Sequence, residues 1–464
     1  MLFNSFEFIF IFLPIVVGVY FLLNHGGKYV LAKQWLLFAS IFFYGWWNPK
    51  YVFLILLSIG GNYLLFLWLE KTSRQVMRKA IMLFGVSMNL AILSYYKYAD
   101  FFITNVNVLT GLEFNLLHII LPLGISFFTF QQVAFIVDSY KNVVKEIAFF
   151  DYALFVTFFP QLVAGPIVHH GEMMSQFKNI SNSQISYANL SKGIFVFNMG
   201  LAKKVILADT FGKIANNGYA NVDLLNSFES WVTSLFYSVQ LYFDFSGYSD
   251  MAIGIGLMFN IVLPNNFWSP YKSSSIKEFW RRWHMTLSRF LRDYIYIPLG
   301  GNRSRDFRTR TNLILTFLIG GIWHGAGWTF VFWGFLHGLG LVIHSFFQKL
   351  SWAMPKWMGV VITFLFINIT WVFFRATSWQ DAITLISRMA GLTTDSSNFV
   401  LVTQIYDLPI WIIGFALLFL PNAQEIGERF RLKYKFLWIT VLLIWLNLTF
   451  LNSAINQEFL YFDF

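Results

Sequence analysis

Two of the eight histidines in this 464-residue chain sit where ordinary packing explains them poorly. His324 lies in Leu318-Ile-Gly-Gly-Ile-Trp-His-Gly-Ala-Gly-Trp328, flanked by glycines at 320, 321, 325 and 327 inside an apolar run. Glycine permits close backbone approach and leaves room beside an imidazole, as a channel for a bulky ligand would require. The competing reading is a core histidine bonded to a neighbouring helix, and on these residues alone both stand. His284 lies in a second unusual stretch, Phe279-Trp-Arg-Arg-Trp-His-Met. Imidazole titrates near neutrality, so it can take the proton of a hydroxyl as that oxygen attacks an acyl carbonyl; acyl transfer to an alcohol is the chemistry this pair suits.

The other histidines fit less well. His337 and His344 are seven residues apart and share a helical face, but on one straight helix that face lies roughly 140–160° from His324, which predicts packing or interfacial roles. His169 and His170 begin what could be an HHxxxD signature, yet Met174 stands where its aspartate is needed. There is no Walker A loop, no Gly-x-Ser-x-Gly elbow and no HExxH helix. No metal is expected. The chain has no cysteine, which excludes disulfides, thiolate metal sites and a protein thioester. Polar residues in Tyr242-Phe-Asp-Phe-Ser-Gly-Tyr-Ser-Asp250 remain as further candidates.

The elements that must position these groups are membrane helices. The sequence is 57% hydrophobic, 20% aromatic and only 12% charged, with a mean hydropathy of +0.58, which excludes an ordinary soluble enzyme. No stretch of soluble composition is long enough for a separate domain, so one membrane-embedded domain over 1–464 is expected, with the core motifs within 149–347. The first apolar run has no basic residue before it and no small-residue cleavage site after it, so it is expected to persist as a helix. Candidate spans lie near 6–23, 30–47, 52–69, 80–98, 115–137, 149–168, 193–211, 230–262, 312–347, 357–374, 408–420 and 436–452. The 312–347 stretch is long enough for two crossings. Between 149 and 263, Pro160, Pro166, Lys203, Lys204, Asp244 and Asp250 interrupt apolar sequence, as in broken or re-entrant helices lining a cavity.

Basic residues orient the spans. Lys28, Lys33, Lys71, Arg74, Arg78, Lys79, Lys141 and Lys145 follow the first, third and fifth spans, whereas the intervening loops carry little positive charge, so the N-terminus is expected outside the cytoplasm. The tail after Asn452 holds Glu458 and Asp463 without Lys or Arg and is expected outside too. The net charge of +10 is spread among membrane segments and points to a surface against anionic lipid, not to nucleic acid. Segment 272–310 holds ten basic and three acidic residues and is expected at the cytoplasmic face. Counted from Phe279 as one helix, Trp280, Trp283, Leu287, Phe290 and Leu291 fall within roughly 0–120° and Arg281, Arg282, Arg289 and Arg292 within roughly 200–300°, an amphipathic pattern with His284 at the boundary near 140°.

At these residues the chain resembles the membrane-bound O-acyltransferase family, in the branch of the alginate O-acetylation membrane subunit and the peptidoglycan O-acetyltransferase A proteins. The matching stretches are Met1-Leu-Phe-Asn-Ser-Phe-Glu-Phe, Phe159-Pro-Gln-Leu-Val-Ala-Gly-Pro-Ile, Phe243-Asp-Phe-Ser-Gly-Tyr-Ser-Asp, Phe279-Trp-Arg-Arg-Trp-His-Met-Thr-Leu-Ser, Arg292-Asp-Tyr-Ile-Tyr-Ile-Pro-Leu-Gly-Gly-Asn-Arg and Gly320-Gly-Ile-Trp-His-Gly-Ala. The resemblance implies an all-α polytopic membrane protein of roughly 10–13 spanning helices, with interfacial and re-entrant helices, around a central tunnel. The family's essential membrane histidine falls on His324 and its second histidine on His284.

The resemblance further implies acetyl-CoA as the donor, no permanently bound cofactor, and passage of acetyl across a bacterial inner membrane for O-acetylation of a surface or periplasmic glycan. Arg281, Arg282 and Trp283 are the expected donor-binding residues, since guanidinium groups match phosphate geometry on a cytoplasm-facing segment, with anionic lipid headgroups as the competing partner. Gln161, Asp244, Ser246, Tyr248, Asp250 and Trp323 are the expected tunnel lining. Expected partners are a periplasmic esterase-like acetyltransferase, membrane lipid and the glycan acceptor. Two readings from other classes compete: a transporter or flippase for a lipid-linked sugar, which predicts internal repeats that are not found, and a scaffold for a polysaccharide secretion complex.

Overall fold

The computed structural model describes residues 1–163, 165–303, 305–350, 354–392, 408–453 and 459–460; Glu458 and Asp463, on which the tail's expected side partly rests, lie outside the described residues. Every regular element among them is helical. Hydrocarbon offers no water to backbone N–H and C=O groups, and helices satisfy both internally. Six helices are long and apolar enough to cross a membrane: Phe8–His25, Lys50–Lys71, Gln75–Thr110, Trp328–Phe347, Lys356–Arg375 and Tyr434–Leu451. The chain is an all-α, multi-pass membrane protein.

It divides into two compact units, residues 1–197, 251–264 and 431–437 in the first and 198–250, 265–430 and 438–464 in the second. In the first unit a π-helical turn, Phe8–Phe12, leads into α1 (Leu13–His25), followed by α2 (Tyr29–Gly45), α3 (Lys50–Lys71), α4 (Gln75–Thr110), α5 (Ile125–Tyr140), α6 (Phe149–Thr157), α7 (Phe159–Leu162) and α8 (His170–Lys178). Apolar side chains face outward, as Leu22 and Leu57 do at 71% and 75% exposure, while polar ones face inward. The buried amides of Asn62 and Asn89 exchange hydrogen bonds at 3.1 and 2.7 Å, joining α3 to α4. With lipid no less apolar than leucine, polar contacts and close packing are what hold such helices together.

Two expected spans differ. The helix expected over 115–137 begins only at Ile125, because Asp100 on α4 accepts the backbone N–H groups of Leu117 and His118 at 2.7 and 2.9 Å and holds that stretch extended. The span expected over 149–168 is broken: α6 stops at Thr157, Phe158 leaves the helical region, and Pro160 sits in the first turn of α7.

The second unit receives the end of α9 (Tyr187–Ala202) and continues through a π-helical turn, Lys203–Ala208, into α10 (Asp209–Ala220) and most of α11 (Ser227–Met258). It then contains α12 (Ile276–Arg282), α13 (Met285–Leu291), α14 (Asp306–His324), α15 (Trp328–Phe347), α16 (Lys356–Arg375), α17 (Trp379–Met389), α18 (Leu408–Leu417), α19 (Ala423–Glu428) and most of α20 (Tyr434–Ser453). The 312–347 stretch does form two helices, α14 and α15, hinged at Gly325–Gly327.

Two of the glycines around His324, Gly321 and Gly325, let the helices of this hairpin close on each other, as does Gly334 opposite them. A Cβ on Gly321 would lie 2.4 Å from the Phe330 carbonyl oxygen, one on Gly334 2.3 Å from that of Phe317, and one on Gly325 2.2 Å from the Phe330 ring. At Gly321 and Gly325 the space that a side chain would need is taken by α15 and its phenylalanine. Gly321→Ala and Gly334→Ala should each lower stability by about 1–3 kcal/mol, since backbone cannot yield as a side-chain tip can. Thermal unfolding in detergent measures this. Gly18→Ala, with nothing within 4 Å of its added carbon, is the control expected to melt with the parent. Equal melting of all three variants would mean that the seam is loose.

Candidate active site

His284 and His324 come together in the second unit, their ring centroids 6.4 Å apart and both side chains buried. Different elements deliver them. His324 is the last residue of α14, where the helix stops and Gly325 turns extended. Its ring is walled by Trp323 at 4.8 Å, Trp333 at 5.0 Å and Phe374 at 5.3 Å, from α14, α15 and α16. The indole N–H of Trp333 is buried with no hydrogen-bond partner among the described residues. A donor left so costs free energy, and beside an imidazole it is a group that a substrate oxygen could accept from.

His284 is not where a continuous helical wheel puts it. The expected single helix breaks after Arg282: Trp283 is extended, and His284 takes φ 44° and ψ 53° as the residue before α13. The break carries His284 from the expected boundary to full burial at 0% exposure, with Phe245 of α11 edge-on at 4.8 Å. Left-handed backbone costs a residue with a Cβ roughly 1–2 kcal/mol, so the surrounding bonds must hold it. They do: the N–H of Met285 donates to the Asn266 carbonyl at 2.9 Å, the N–H of Trp268 donates to the Arg282 carbonyl at 2.9 Å, and His284 Nδ1 meets Asn266 Oδ1 at 3.1 Å.

The expected donor-binding residues part company. Arg281 is exposed. Arg282 is engaged, 2.8 Å from Glu278 Oε1 and donating to the Trp268 carbonyl at 3.3 Å. Partial burial works to raise the Glu278 carboxyl, but hydrogen bonds from the Ser274 N–H and hydroxyl, and the Arg282 charge, outweigh it and hold the group below its ordinary range. Trp283 lies in the aromatic core, stacked on Phe279 at 5.6 Å and 5.0 Å from Trp371.

The expected tunnel residues also have protein contacts. Asp250 is 2.6 Å from Lys203 Nζ and accepts from Gln424 at 2.6 Å, and Ser246 accepts from Lys203 at 3.4 Å. Lys204 lies 2.8 Å from Asp209 and 2.7 Å from Asp244, all three buried. Tyr248 stacks on Phe459 at 4.6 Å. Trp323 stands 6.3 Å from the His284 ring, within the histidine site. Gln161 belongs to the first unit, where its amide donates to the Phe155 carbonyl at 2.6 Å. His337 is a packing residue as expected: Trp280 Nε1 donates to its Nδ1 at 3.2 Å, so its other nitrogen carries the hydrogen offered to Thr370 Oγ1 at 3.1 Å.

Asn266, Phe245, Trp333 and Phe374 went unnoticed in the sequence. Asn266 stands 18 residues before His284 with no periodicity linking the two. Lys203, Lys204, Asp244 and Asp250 did leave a signal, opposite charges inside apolar segments, though not which lysine meets which aspartate, nor that Asp209 joins Lys204. Among the described residues no cluster of three or more His, Asp and Glu side chains could hold a metal ion.

Residues 90–379 match the membrane-bound O-acyltransferase family. A peptidoglycan O-acetyltransferase of Helicobacter pylori is 43% identical over 100% of this chain and 98% of its own. A probable alginate O-acetylase of Pseudomonas putida is 40% identical over 84% of this chain and 80% of its own. A teichoic acid D-alanyltransferase of Streptococcus thermophilus is 30% identical over 50% of this chain and 58% of its own. These names describe group-transfer enzymes and set the transporter and scaffold readings aside. With more than half its length matched and a relative aligned from end to end, the chain belongs to the membrane-bound O-acyltransferase family and is an O-acyltransferase.

Proposed function

We propose that this protein takes acetyl from acetyl-CoA on the cytoplasmic side of a bacterial inner membrane and passes it across, for O-acetylation of a periplasmic glycan. The single observation that carries the catalytic part is the meeting of His284 and His324, 40 residues apart in sequence, as two buried imidazoles 6.4 Å apart in one aromatic-walled site. Peptidoglycan is the preferred acceptor, because the peptidoglycan O-acetyltransferase aligns over the whole chain and the probable alginate O-acetylase over 84% of it.

In this reading a hydroxyl of the partner acetyltransferase attacks the thioester carbonyl, the C–S bond breaks, acetyl remains as an ester on that hydroxyl, and coenzyme A leaves with the proton that an imidazole has taken from it. His324 handles that proton and His284 faces it across the site. Exposed Arg281 supplies a guanidinium for the donor phosphates, whereas Arg282 is engaged with Glu278. A periplasmic esterase-like acetyltransferase completes delivery to the polymer, on the side that the N-terminus faces.

The test is purified protein in lipid nanodiscs with acetyl-labelled coenzyme A, with and without the partner acetyltransferase and peptidoglycan. Label should leave coenzyme A and reach muropeptides efficiently only with the partner present. Arg281→Gln should weaken coenzyme A binding about tenfold, the loss of one charge-assisted contact. A folded parent that consumes no acetyl-CoA under either condition would overturn the donor assignment. Unchanged affinity in Arg281→Gln would move that side chain's role to anionic lipid.

A further inference from the structure

The hydrogen bonds around His284 say more than that it is buried. Asn266 lies in the extended stretch between α11 and α12, is 1% exposed, and turns one oxygen onto three donors. Its Oδ1 accepts the Thr286 hydroxyl at 2.9 Å and the Thr286 N–H at 3.3 Å, and it meets His284 Nδ1 at 3.1 Å. The Thr286 N–H can only donate, which identifies the amide oxygen as the atom facing it and His284, and the Nδ2 on the other side donates to Ser249 Oγ at 3.4 Å. An amide oxygen can only accept, so the imidazole nitrogen opposite it must carry the hydrogen. A neutral imidazole has one N–H, and the basic nitrogen is therefore Nε2.

We propose that Asn266 is the positioning residue of the acyl-transfer site: it fixes the His284 tautomer with hydrogen on Nδ1 and, through its backbone and amide, holds that histidine in left-handed conformation facing His324. The inference rests on the reading of His284 and His324 as the site. The contrast with His337 supports it. There both ring nitrogens meet side-chain partners, Trp280 and Thr370, and the hydrogen sits on Nε2, the opposite tautomer, 0% exposed in the same unit. The protein thus holds two buried imidazoles in two different states by choosing a donor or an acceptor for Nδ1. Orientation of a ring by the bond at its other nitrogen is a general device for setting which nitrogen is available to a substrate.

Asn266→Leu keeps the side chain's shape and removes the acceptor; Asn266→Asp keeps an acceptor oxygen in place; Thr286→Val removes a different donor to the same oxygen without touching the ring. In nanodiscs, Asn266→Leu should lose at least about tenfold in kcat with KM for acetyl-CoA within twofold of the parent. Asn266→Asp should recover most of that loss, and Thr286→Val should keep parental kcat even where its melting temperature falls. Nitrogen-15 resonances of histidine-labelled parent protein read the tautomer directly, and the His284 signal, assigned by its loss in His284→Gln, should report hydrogen on Nδ1. Parental kcat in folded Asn266→Leu overturns the proposal, and so does hydrogen on Nε2 in the parent protein, a readout that stands even where neither Asn266 variant can be isolated. The site reading fails separately: parental turnover in His284→Gln would remove the ring that Asn266 is said to orient, whatever its tautomer.

Discussion

His324→Ala and His324→Gln should abolish acyl transfer while leaving a folded protein in the membrane. The loss expected for a positioned acid–base group is about 10²–10⁴-fold, enough to reach background in most assays. Both substitutions are needed. Alanine leaves a void between Trp323, Trp333 and Phe374, whose rings lie 4.8–5.3 Å from the imidazole, and a drop in activity could then reflect collapse of that wall. Glutamine fills much of the space and can hydrogen-bond, but cannot accept and return a proton near neutral pH. Equal loss in both, with parental size-exclusion profiles and melting temperatures, points to the proton. Near-parental turnover in either makes His324 a packing residue and ends the proposed mechanism. His284→Gln should also lower turnover, with more residual activity, because glutamine can still accept a hydrogen bond across the 6.4 Å site.

Lys204→Met should be the most destabilising change in the second unit. Its ammonium lies 2.8 Å from Asp209 and 2.7 Å from Asp244, with side-chain exposures of 5%, 11% and 1% for the three residues. Removing the cation leaves two carboxylates close together and out of water, and breaking a buried pair by deleting one partner costs about 3–5 kcal/mol. The expected result is poor yield and a melting temperature well below the parent's. A triple replacement, Lys204→Met with Asp209→Leu and Asp244→Leu, should recover much of the loss, because apolar groups of similar volume often replace a buried ion cluster without penalty. Unchanged melting of the single variant would show that water reaches the cluster. The triple variant also tests Asp244 as tunnel lining: if it folds and transfers acyl groups at the parental rate, that carboxylate plays no part in passage.

Composition alone made the helical membrane fold legible, because spans such as Lys50–Lys71 and Lys356–Arg375 have few other ways to satisfy their backbone in lipid. The two histidines were legible through the unusual residues around them. What could not be read was local geometry set by contacts distant in sequence. The helical wheel assigned His284 to an interface because it assumed continuous helix through Trp283, and the break is held by Asn266 and Trp268, whose bonding partners the wheel does not include. Glycines 321 and 325 were read as room for a ligand, but Phe330 and Gly334 of the next helix, approaching from the far side of the turn, are what they accommodate. Lys203 and Lys204 advertised themselves as charges in an apolar run, yet their pairing depends on how α11 lies against the preceding turn, which no spacing encodes.

That pairing has a consequence for how the protein is made. Asp250, the partner of Lys203, is synthesised 47 residues after it, while Asp209, one partner of Lys204, follows after only five. An unpaired lysine at the centre of a helix adds about 2.5–3.5 kcal/mol to the free energy of entering the bilayer. The segment holding both lysines therefore reaches the insertion machinery carrying a cation that nothing nearby neutralises, and it gains its counter-charge only when α11 has emerged from the ribosome. If the spans expected near 193–211 and 230–262 both enter the lipid, they should do so as one packet, so a chain truncated between Ala220 and Asp244 should stall at the translocon and be degraded, whereas one truncated after Met258 should integrate.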